Sequence, residues 1–364
     1  MNLDAFVSKF GGITESFWFY DHTVELRYDV ARHVYLLVTP EGTLEEQDGV
    51  STVCHIIDKS AALVPWAAKM MQVKLLATAG PFQGDSGLYF FDDESLAKWI
   101  EEGKSAHKDR LEEAGDIGHT AHAWIEALIK AILSDNESRK LELLAQLPED
   151  ERAANCCTAA LTWMERHAIK WISTERKVYS REYKYAGTLD GLCRASSCDD
   201  PTCCPVSFID RLTLVDWKTS NYLYLEFKLQ TEAYRRAYIE EHNEIVEDVW
   251  ILRLGKETAE FDPWHLTETE FDDNWEGFKA ALRLSRAVAI IKERLHVAHD
   301  TRKAKERTAE KTKREAELKI KCAKADKFKG TRYPKCNGGD PCETCLAKFK
   351  ERHPDYEKEL TTVE

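Results

Sequence analysis

The chain has 364 residues, of which 43% are hydrophobic, so it can bury one large core with appendages or the cores of two domains. Its formal net charge of -13 excludes a uniformly basic protein that coats nucleic acid. The N-terminal residues lack a basic segment followed by an apolar one, and no apolar run approaches the roughly 18 residues that cross a bilayer. We therefore expect a soluble, intracellular protein without membrane association.

The predicted elements begin with two or three antiparallel strands, because aromatic and β-branched runs alternate with polar turns over residues 1–50. Helical spacing of apolar residues predicts helices at 58–76, 93–114, 115–133 and 151–171. Strand-like segments follow at 177–195 and 206–220, then a helix at 226–241, a strand at 246–255 and a helix at 273–295. This order indicates an α/β fold with a mixed central sheet flanked by helices.

The C-terminal part of the chain has a different composition. From Arg302 to Arg332 there are 13 Lys or Arg residues against 5 Asp or Glu, a local charge of +8. The stretch predicts a helical extension, either a solvated helix with i,i+4 ion pairs or an arm that contacts nucleic-acid phosphates. We expect an N-terminal β element at 1–50, a core at 51–298 with a cysteine-rich hairpin insert at 193–204, a basic helical arm at 299–332 and a cysteine-bearing tail at 333–364.

The segment "LTLVDWKTS" at residues 212–220 ends an apolar strand with a carboxylate and an ammonium. Residues two apart on a strand share a face, so Asp216 and Lys218 project together while Trp217 points into the opposite layer. A carboxylate can bind a divalent cation, and a neighbouring ammonium can orient water or stabilise charge on a phosphate. The pair suits metal-assisted phosphodiester hydrolysis, although a strand-end ion pair is the alternative.

The acid-x-Lys pattern alone is weak, because it also occurs at Glu102/Lys104, Glu175/Lys177, Glu182/Lys184, Glu226/Lys228 and Glu317/Lys319. Its context is more informative. Asp190 ends the preceding strand, and an antiparallel partner would bring that carboxylate beside Asp216. Upstream, Gly118, His122 and Glu126 lie four residues apart on a predicted helix, and therefore on one face.

Four motifs in this order resemble the PD-(D/E)XK nuclease superfamily, specifically its RecB-like branch, which includes phage-type exonucleases and CRISPR-adaptation nucleases. The matching segments are "GHTAH", "GTLD", "VDWKTS" and "QTEAY". "STVCHIIDKSAALVPWAAK" is also similar to the helical N-terminal region of phage-encoded members. The similarity covers about residues 50–286 and implies a restriction-endonuclease-like core. The long interval between Asp190 and Asp216, which contains the cysteine-rich insert, departs from the family pattern.

The resemblance implies a role for each matching residue. His122, Asp190, Asp216 and the Trp217 carbonyl would be ligands of Mg²⁺ or Mn²⁺, and Lys218 would be the catalytic lysine. Glu126 would be a further acid of the site, in contact with the metal or one shell away. For His122 alone, the alternative is a hydrogen-bonded core histidine.

The last motif adds two residues from the following helix. Gln230 and Tyr234 would brace the site or touch the DNA backbone, and simple helix packing is the alternative for both.

The function implied is a metal-dependent deoxyribonuclease. We expect an exonuclease of phage or bacterial recombination or repair, in the bacterial or infected cytoplasm, that acts on linear ends or single strands of DNA. A single-strand annealing or binding protein would be its partner. The alternative is a DNA-end binding or recombination-scaffold protein with an inactive site, against which the intact Asp190, Asp216 and Lys218 weigh.

Eleven cysteines without an export signal indicate reduced thiols or metal ligands rather than disulfides. Two clusters are candidates for structural Zn²⁺: Cys193, Cys198, Cys203 and Cys204 in the central hairpin, and Cys322, Cys336, Cys342 and Cys345 near the C-terminus. The resemblance also allows an iron–sulfur cluster on the C-terminal group, with Cys54 as an upstream ligand. Cys156 and Cys157 are predicted to be small buried side chains.

Overall fold

The fold is taken from a computed structural model that describes residues 14–325, except residue 85, and the single positions 347 and 351. The strands in this part of the chain are β1 Thr14–Phe19, β2 Val24–Asp29, β3 Val34–Val38, β4 Leu44–Gly49, β5 Lys170–Ser180, β6 Tyr185–Ala195, β7 Arg211–Lys218, β8 Asp248–Leu254 and β9 Phe261–Leu266. The helices are α1 Val50–Cys54, α2 Ser60–Ala77, α3 Asp93–Leu133, α4 Glu137–Ala145, α5 Glu151–Arg166, α6 Leu225–His242 and α7 Glu268–Ala325. A short 3-10 turn spans Gly80–Phe82.

All of these strands belong to one mixed sheet. Their order is β1-β2-β3-β4-β6-β7-β8-β9, and β5 pairs with β6. The N-terminal strands form an antiparallel meander that joins the sheet through a short parallel pairing, Asp48 with Tyr185 and Gly49 with Ala186. β7 and β8 are parallel and are connected by α6, as a crossover connection requires. The predicted α/β class is therefore confirmed.

Two hydrophobic cores lie on opposite faces of the central strands, and β7 contributes to both because its side chains alternate. Leu212 and Leu214 pack in the core that includes α1, α6 and the start of α7. Val215 and Trp217 pack in the core that includes α3, α4 and α5. The central strands are thus covered on both faces, which explains why their sequences are nearly continuous apolar runs.

Several element predictions need correction. The two helices predicted at 93–114 and 115–133 are one helix of 41 residues, which Gly115 and Gly118 do not interrupt. The N-terminal region has four strands in the described part, where two or three were predicted. Strand β9 was not predicted. It contains Pro263, which is tolerated because β9 lies at the end of the strand order.

The chain divides into two compact units, Met1–Arg286 and Ala287–Glu364. The boundary predicted after residue 298 therefore lies inside the second unit, within α7. In that unit the side chains of residues 301–313 are exposed along the helix. No helix in the described ranges combines the length and the apolar character needed to span a membrane.

β6 and α6 approach each other closely at Gly187. A Cβ atom at this position would lie 2.3 Å from Cε1 of Tyr234 and 3.2 Å from Cγ2 of Val50. The first distance is far below van der Waals contact. Because the tyrosine ring is buried, neither the ring nor β6 can shift without disturbing the surrounding packing. The absence of a side chain at Gly187 is therefore what lets the Tyr234 ring pack against the strand.

We predict that Gly187→Ala lowers the free energy of unfolding by about 1–3 kcal/mol, because it overpacks this contact. Urea denaturation followed by circular dichroism measures the change. Gly115→Ala is the matched control, because a Cβ there meets nothing within 4 Å on the α3 surface. It should stabilise the helix by up to about 1 kcal/mol. Equal stability of the two variants would contradict the packing argument.

Candidate functional site

The candidate site lies where the sheet opens between β6 and its neighbours on one edge. β6 pairs with β4 through Ala186 and with β7 only from Gly191 onward. The intervening residues 187–190, "GTLD", have no strand partner on that edge. Asp190 closes the opening instead, since its Oδ2 accepts a hydrogen bond of 2.8 Å from the Trp217 backbone N–H.

Asp216 and Lys218 leave β7 on the same face, as the alternation predicts. Lys218 Nζ lies 2.7 Å from Asp216 Oδ2, and the Asp216 side chain is only 1% exposed. The ammonium also lies 3.5 Å from Gln230 Oε1, while Gln230 Nε2 donates to the Tyr234 hydroxyl at 2.8 Å. Three motifs of the sequence therefore form one continuous chain of contacts, which ends on Gly187.

Trp217 points to the opposite core, where its ring meets Trp163 edge-on with centroids 5.7 Å apart. This packing fixes the rotation of β7, and with it the direction of the two charged neighbours. The Trp217 backbone stays accessible to the site, because its N–H contacts Asp190 and the backbone hydrogen-bonds the His122 ring.

His122 enters the site from α3. The helix approaches β7 closely at Gly118, where a Cβ would lie 2.8 Å from Oγ1 of Thr219. One turn later, His122 Nδ1 lies 3.9 Å from Asp190 Oδ2. Burial, together with the charge of Lys218, lowers the pKa of His122 to about 4. The imidazole is therefore neutral near pH 7, which leaves it able to bind a cation.

The carboxylates of the site are held in an unfavourable electrostatic environment. Burial and the charge of Asp190 raise the pKa of Asp216 to about 6, even though Lys218 opposes the shift. Burial likewise raises the pKa of Asp190. Burial alone would lower the pKa of Lys218, but Asp216 and Asp190 outweigh it, and the pKa is raised. Lys218 therefore stays an ammonium at neutral pH.

Glu175 is a further acid of the site that the sequence analysis did not select. It lies on β5 with a positive φ of 48°, and the β5–β6 register pairs residues on both sides of it but does not pair it with Asp190. Burial, Asp190 and Glu126 raise its pKa to about 7, against the opposing effect of Lys177 and Lys130. The available signal was the acid-x-Lys pattern at Glu175/Lys177, which is as short as the patterns elsewhere in the chain.

Glu126 shares the α3 face with His122, as predicted, but its carboxylate is engaged by Lys130 one turn away. The charge of Glu126 contributes to the raised pKa of Glu175, so Glu126 lies at the edge of the site. His119, in contrast, is exposed on the helix surface.

The other acid-x-Lys sequences have different surroundings. Glu102 and Lys104 are exposed on α3, and Glu182 and Lys184 are exposed in the β5–β6 turn. In α6, Glu226 pairs with Lys59 and Lys228 with Glu270 rather than with each other, because residues two apart on a helix do not share a face. The Glu317 and Lys319 side chains lie outside the described residues.

The central cysteines do not group as predicted. The Cys198, Cys203 and Cys204 thiols lie close to the ring of His167, and the four residues could hold a metal ion. Cys193 is not in the group, because β6 continues to Ala195 and buries its thiol in the core behind the sheet.

The remaining cysteine predictions have different outcomes. Cys156 and Cys157 are fully buried in α5, as predicted. Cys54 is buried in α1, and burial, with the nearby Glu226, raises its pKa to about 12. Of the C-terminal group, the Cys322 side chain and residues Cys336, Cys342 and Cys345 lie outside the described residues.

Comparison of the chain with protein-family models and with curated proteins found no match.

We predict that Glu175 makes the metal-free protein less stable as the pH rises. The unfolded state releases the Glu175 proton near pH 4.5 and the folded state near 7, so stability falls between these values. Glu175→Gln keeps the shape of the protonated side chain without its titration. In chelator, its free energy of unfolding should equal that of the unaltered protein at pH 4.5 and exceed it at pH 8 by on the order of 2 kcal/mol.

Denaturant unfolding at a series of pH values measures this difference. Glu182→Gln is the matched control, because it removes an exposed carboxylate from the turn of the same hairpin. A difference that stays constant with pH for Glu175→Gln would show that this carboxylate titrates in its ordinary range.

Proposed function

We propose that this protein is a Mg²⁺- or Mn²⁺-dependent deoxyribonuclease of the PD-(D/E)XK superfamily, in its RecB-like branch. The observation that carries the proposal is the meeting of Asp190, Asp216, Lys218 and His122 at the opening between β6 and β7. These residues come from separate segments of the chain. The four sequence motifs that suggested the family are the same segments that contact one another here.

The donors at the site fit a hard divalent cation. Asp190, Asp216 and Glu175 are partly or fully buried carboxylates whose pKa values are all raised, and Lys218 is the ammonium beside them. Carboxylate oxygens with one neutral imidazole are ligands that Mg²⁺ and Mn²⁺ accept. A bound cation would relieve the repulsion among these carboxylates, and with the Trp217 carbonyl the chain offers the ligand set that the motifs imply.

Each residue then has a role in phosphodiester hydrolysis. The cation would supply Lewis acidity at the phosphate and a more acidic bound water. Asp190 and Asp216 would hold it, and the neutral His122 would complete the set from α3. Lys218 stays protonated, so it orients the attacking water and stabilises negative charge on the phosphate rather than acting as a base. Gln230 and Tyr234 fix the ammonium in place.

We predict that Asp216→Asn abolishes Mn²⁺-dependent cleavage of end-labelled linear DNA. Lys218→Met, which keeps the length of the side chain but removes its charge, should slow cleavage about 10²–10³-fold, as loss of one electrostatic donor does in other active sites. The measurement is single-turnover cleavage with Mn²⁺, Mg²⁺ or chelator, on linear and on covalently closed circular DNA. Cleavage of the linear form alone would identify an exonuclease, as the resemblance implies.

Lys104→Ala is the matched control, since it alters an exposed acid-x-Lys sequence on α3. It should leave the rate unchanged. If the unaltered protein binds linear DNA without cleaving it in either metal, the DNA-end binding or recombination-scaffold function replaces the nuclease. Full activity of Asp216→Asn, in protein free of contaminating nuclease, would contradict the assignment of the site.

The exposed lysines of the second unit support a role in holding DNA. Lys303, Lys305, Lys311 and Lys313 lie along one solvent-exposed stretch of α7. We propose that this stretch contacts the phosphates of linear or single-stranded DNA. As the resemblance implies, a single-strand annealing or binding protein would be the recombination partner.

We predict that Lys303→Gln/Lys305→Gln/Lys311→Gln weakens DNA binding and flattens its salt dependence, because each lost phosphate contact lowers the slope of log K against log salt by about 0.9. Fluorescence anisotropy of labelled DNA at several salt concentrations gives the slope. Glu306→Gln/Glu310→Gln alters the same stretch without removing a cation and should not flatten the slope. An unchanged slope in the lysine variant would mean that this part of α7 is only a solvated helix.

A further inference from the structure

A second set of metal-binding side chains lies away from the carboxylates, where α5 ends. His167 follows the last turn of α5, and Cys198, Cys203 and Cys204 lie in the loop between β6 and β7. His167 Nε2 lies 3.5 Å from Sγ of Cys204 and 3.6 Å from Sγ of Cys203. Sγ of Cys198 lies 3.5 Å from Sγ of Cys204, and all four ligand atoms fall within 4.8 Å of one another.

The two S···N distances and the one S···S distance are close to the edges of a tetrahedron around zinc. With Zn–S bonds of about 2.3 Å and Zn–N bonds of about 2.0–2.1 Å, neighbouring sulfurs lie about 3.8 Å apart and a sulfur and a nitrogen about 3.5 Å apart. The adjacent Cys203 and Cys204 can both contribute because of a tight turn, in which both of their N–H groups donate to the Asp200 carbonyl, at 3.1 and 2.8 Å. Three sulfurs and one imidazole favour Zn²⁺ over a hard cation.

The histidine is already oriented for this role. His167 Nδ1 lies 2.8 Å from the Trp163 carbonyl, and a carbonyl can only accept, so Nδ1 carries the proton. The lone pair is therefore on Nε2, the atom that faces the thiols. A backbone carbonyl on the far nitrogen is the usual second partner of a zinc-bound histidine. The ring also stacks on Trp163 with centroids 5.1 Å apart and meets Trp250 edge-on.

The site is closed rather than open to a substrate. His167 is fully buried, Cys203 and Cys204 are buried, and Cys198 is partly buried. Four protein ligands in such surroundings leave no position for a reacting water, which is the pattern of a structural metal rather than a catalytic one.

We propose that His167, Cys198, Cys203 and Cys204 bind one structural Zn²⁺ that fastens the β6–β7 loop to the end of α5. The loop joins the two strands that carry Asp190 and Asp216, and its polar residues contribute little to a core of their own. Its first residues are already tied down, since Ser196 N–H donates to the His167 carbonyl and Ser197 N–H to the Phe208 carbonyl. The metal would therefore hold the connection between the two carboxylate strands at a fixed length.

Elemental analysis of full-length protein purified without chelator tests the site. Cys198→Ser and Cys203→Ser should each carry one equivalent of zinc fewer than the unaltered protein, so that any metal on the C-terminal cysteines cancels in the comparison. Cys193→Ala is the matched control, because its thiol is buried in β6 outside the group, and it should retain the full amount. The same zinc content in all four proteins would overturn the proposal.

A second measurement on the unaltered chain does not depend on the folding of a variant. Each cysteine is alkylated with iodoacetamide and identified by peptide mass spectrometry, before and after zinc is removed with a chelator. The partly exposed Cys198 should be protected at first and should react after removal, together with Cys203 and Cys204. Equal reaction in both states, a Cys198–Cys204 disulfide, or iron with acid-labile sulfide in place of zinc would each overturn the proposal. Neither measurement uses DNA cleavage, so the result is independent of the proposed nuclease function.

Discussion

The separation of β6 from β7 on the N-terminal side of Gly191 is the constraint on which the candidate site depends. An uninterrupted ladder would continue past Asp190 and Asp216, and the polar backbone between the strands would be fully paired. Because the ladder stops, the Trp217 N–H needs another acceptor, and the Asp190 carboxylate supplies it at 2.8 Å. A structural hydrogen bond thus fixes one of the carboxylates that the proposed chemistry uses.

The same opening determines what surrounds the charges. Tyr234 fills the space beside Gly187, and the Tyr35 hydroxyl lies 2.7 Å from the Thr188 hydroxyl oxygen, so the edge of β6 is covered by side chains from α6 and β3. The carboxylates are consequently buried without losing access from one side, since Asp190 keeps 17% and His122 31% of the side-chain surface exposed. Burial and mutual repulsion raise the pKa values of the acids, and Lys218 offsets the repulsion only in part. Under the proposed function, a bound cation would relieve this repulsion.

Local patterns in the sequence predicted the parts of the site that depend on local geometry. The two-residue period of β7 gave the shared face of Asp216 and Lys218, and the helical period gave His122 and Glu126 on one face of α3. Long-range placement could not be obtained in this way. Glu175 was missed because its place in the site depends on Asp190, which comes from the opposite strand of the hairpin. His167 was missed because it meets the cysteines only when α5 and the β6–β7 loop pack together. Cys193 was included wrongly, because strand and loop cannot be separated within "GLCRASSC" by periodicity.

The missing pair between Glu175 and Asp190 has a mechanical consequence for the longest hairpin of the sheet. Regular pairing resumes on both sides, at Thr174 with Gly191 and at Arg176 with Leu189, and the Asp190 carbonyl accepts from the Thr174 hydroxyl at 2.8 Å. Glu175 and Asp190 are therefore held in place by the rungs on either side of them and not by a pairing of their own. The ladder is interrupted at the residue whose carboxylate has a pKa raised by burial and by the charge of Asp190.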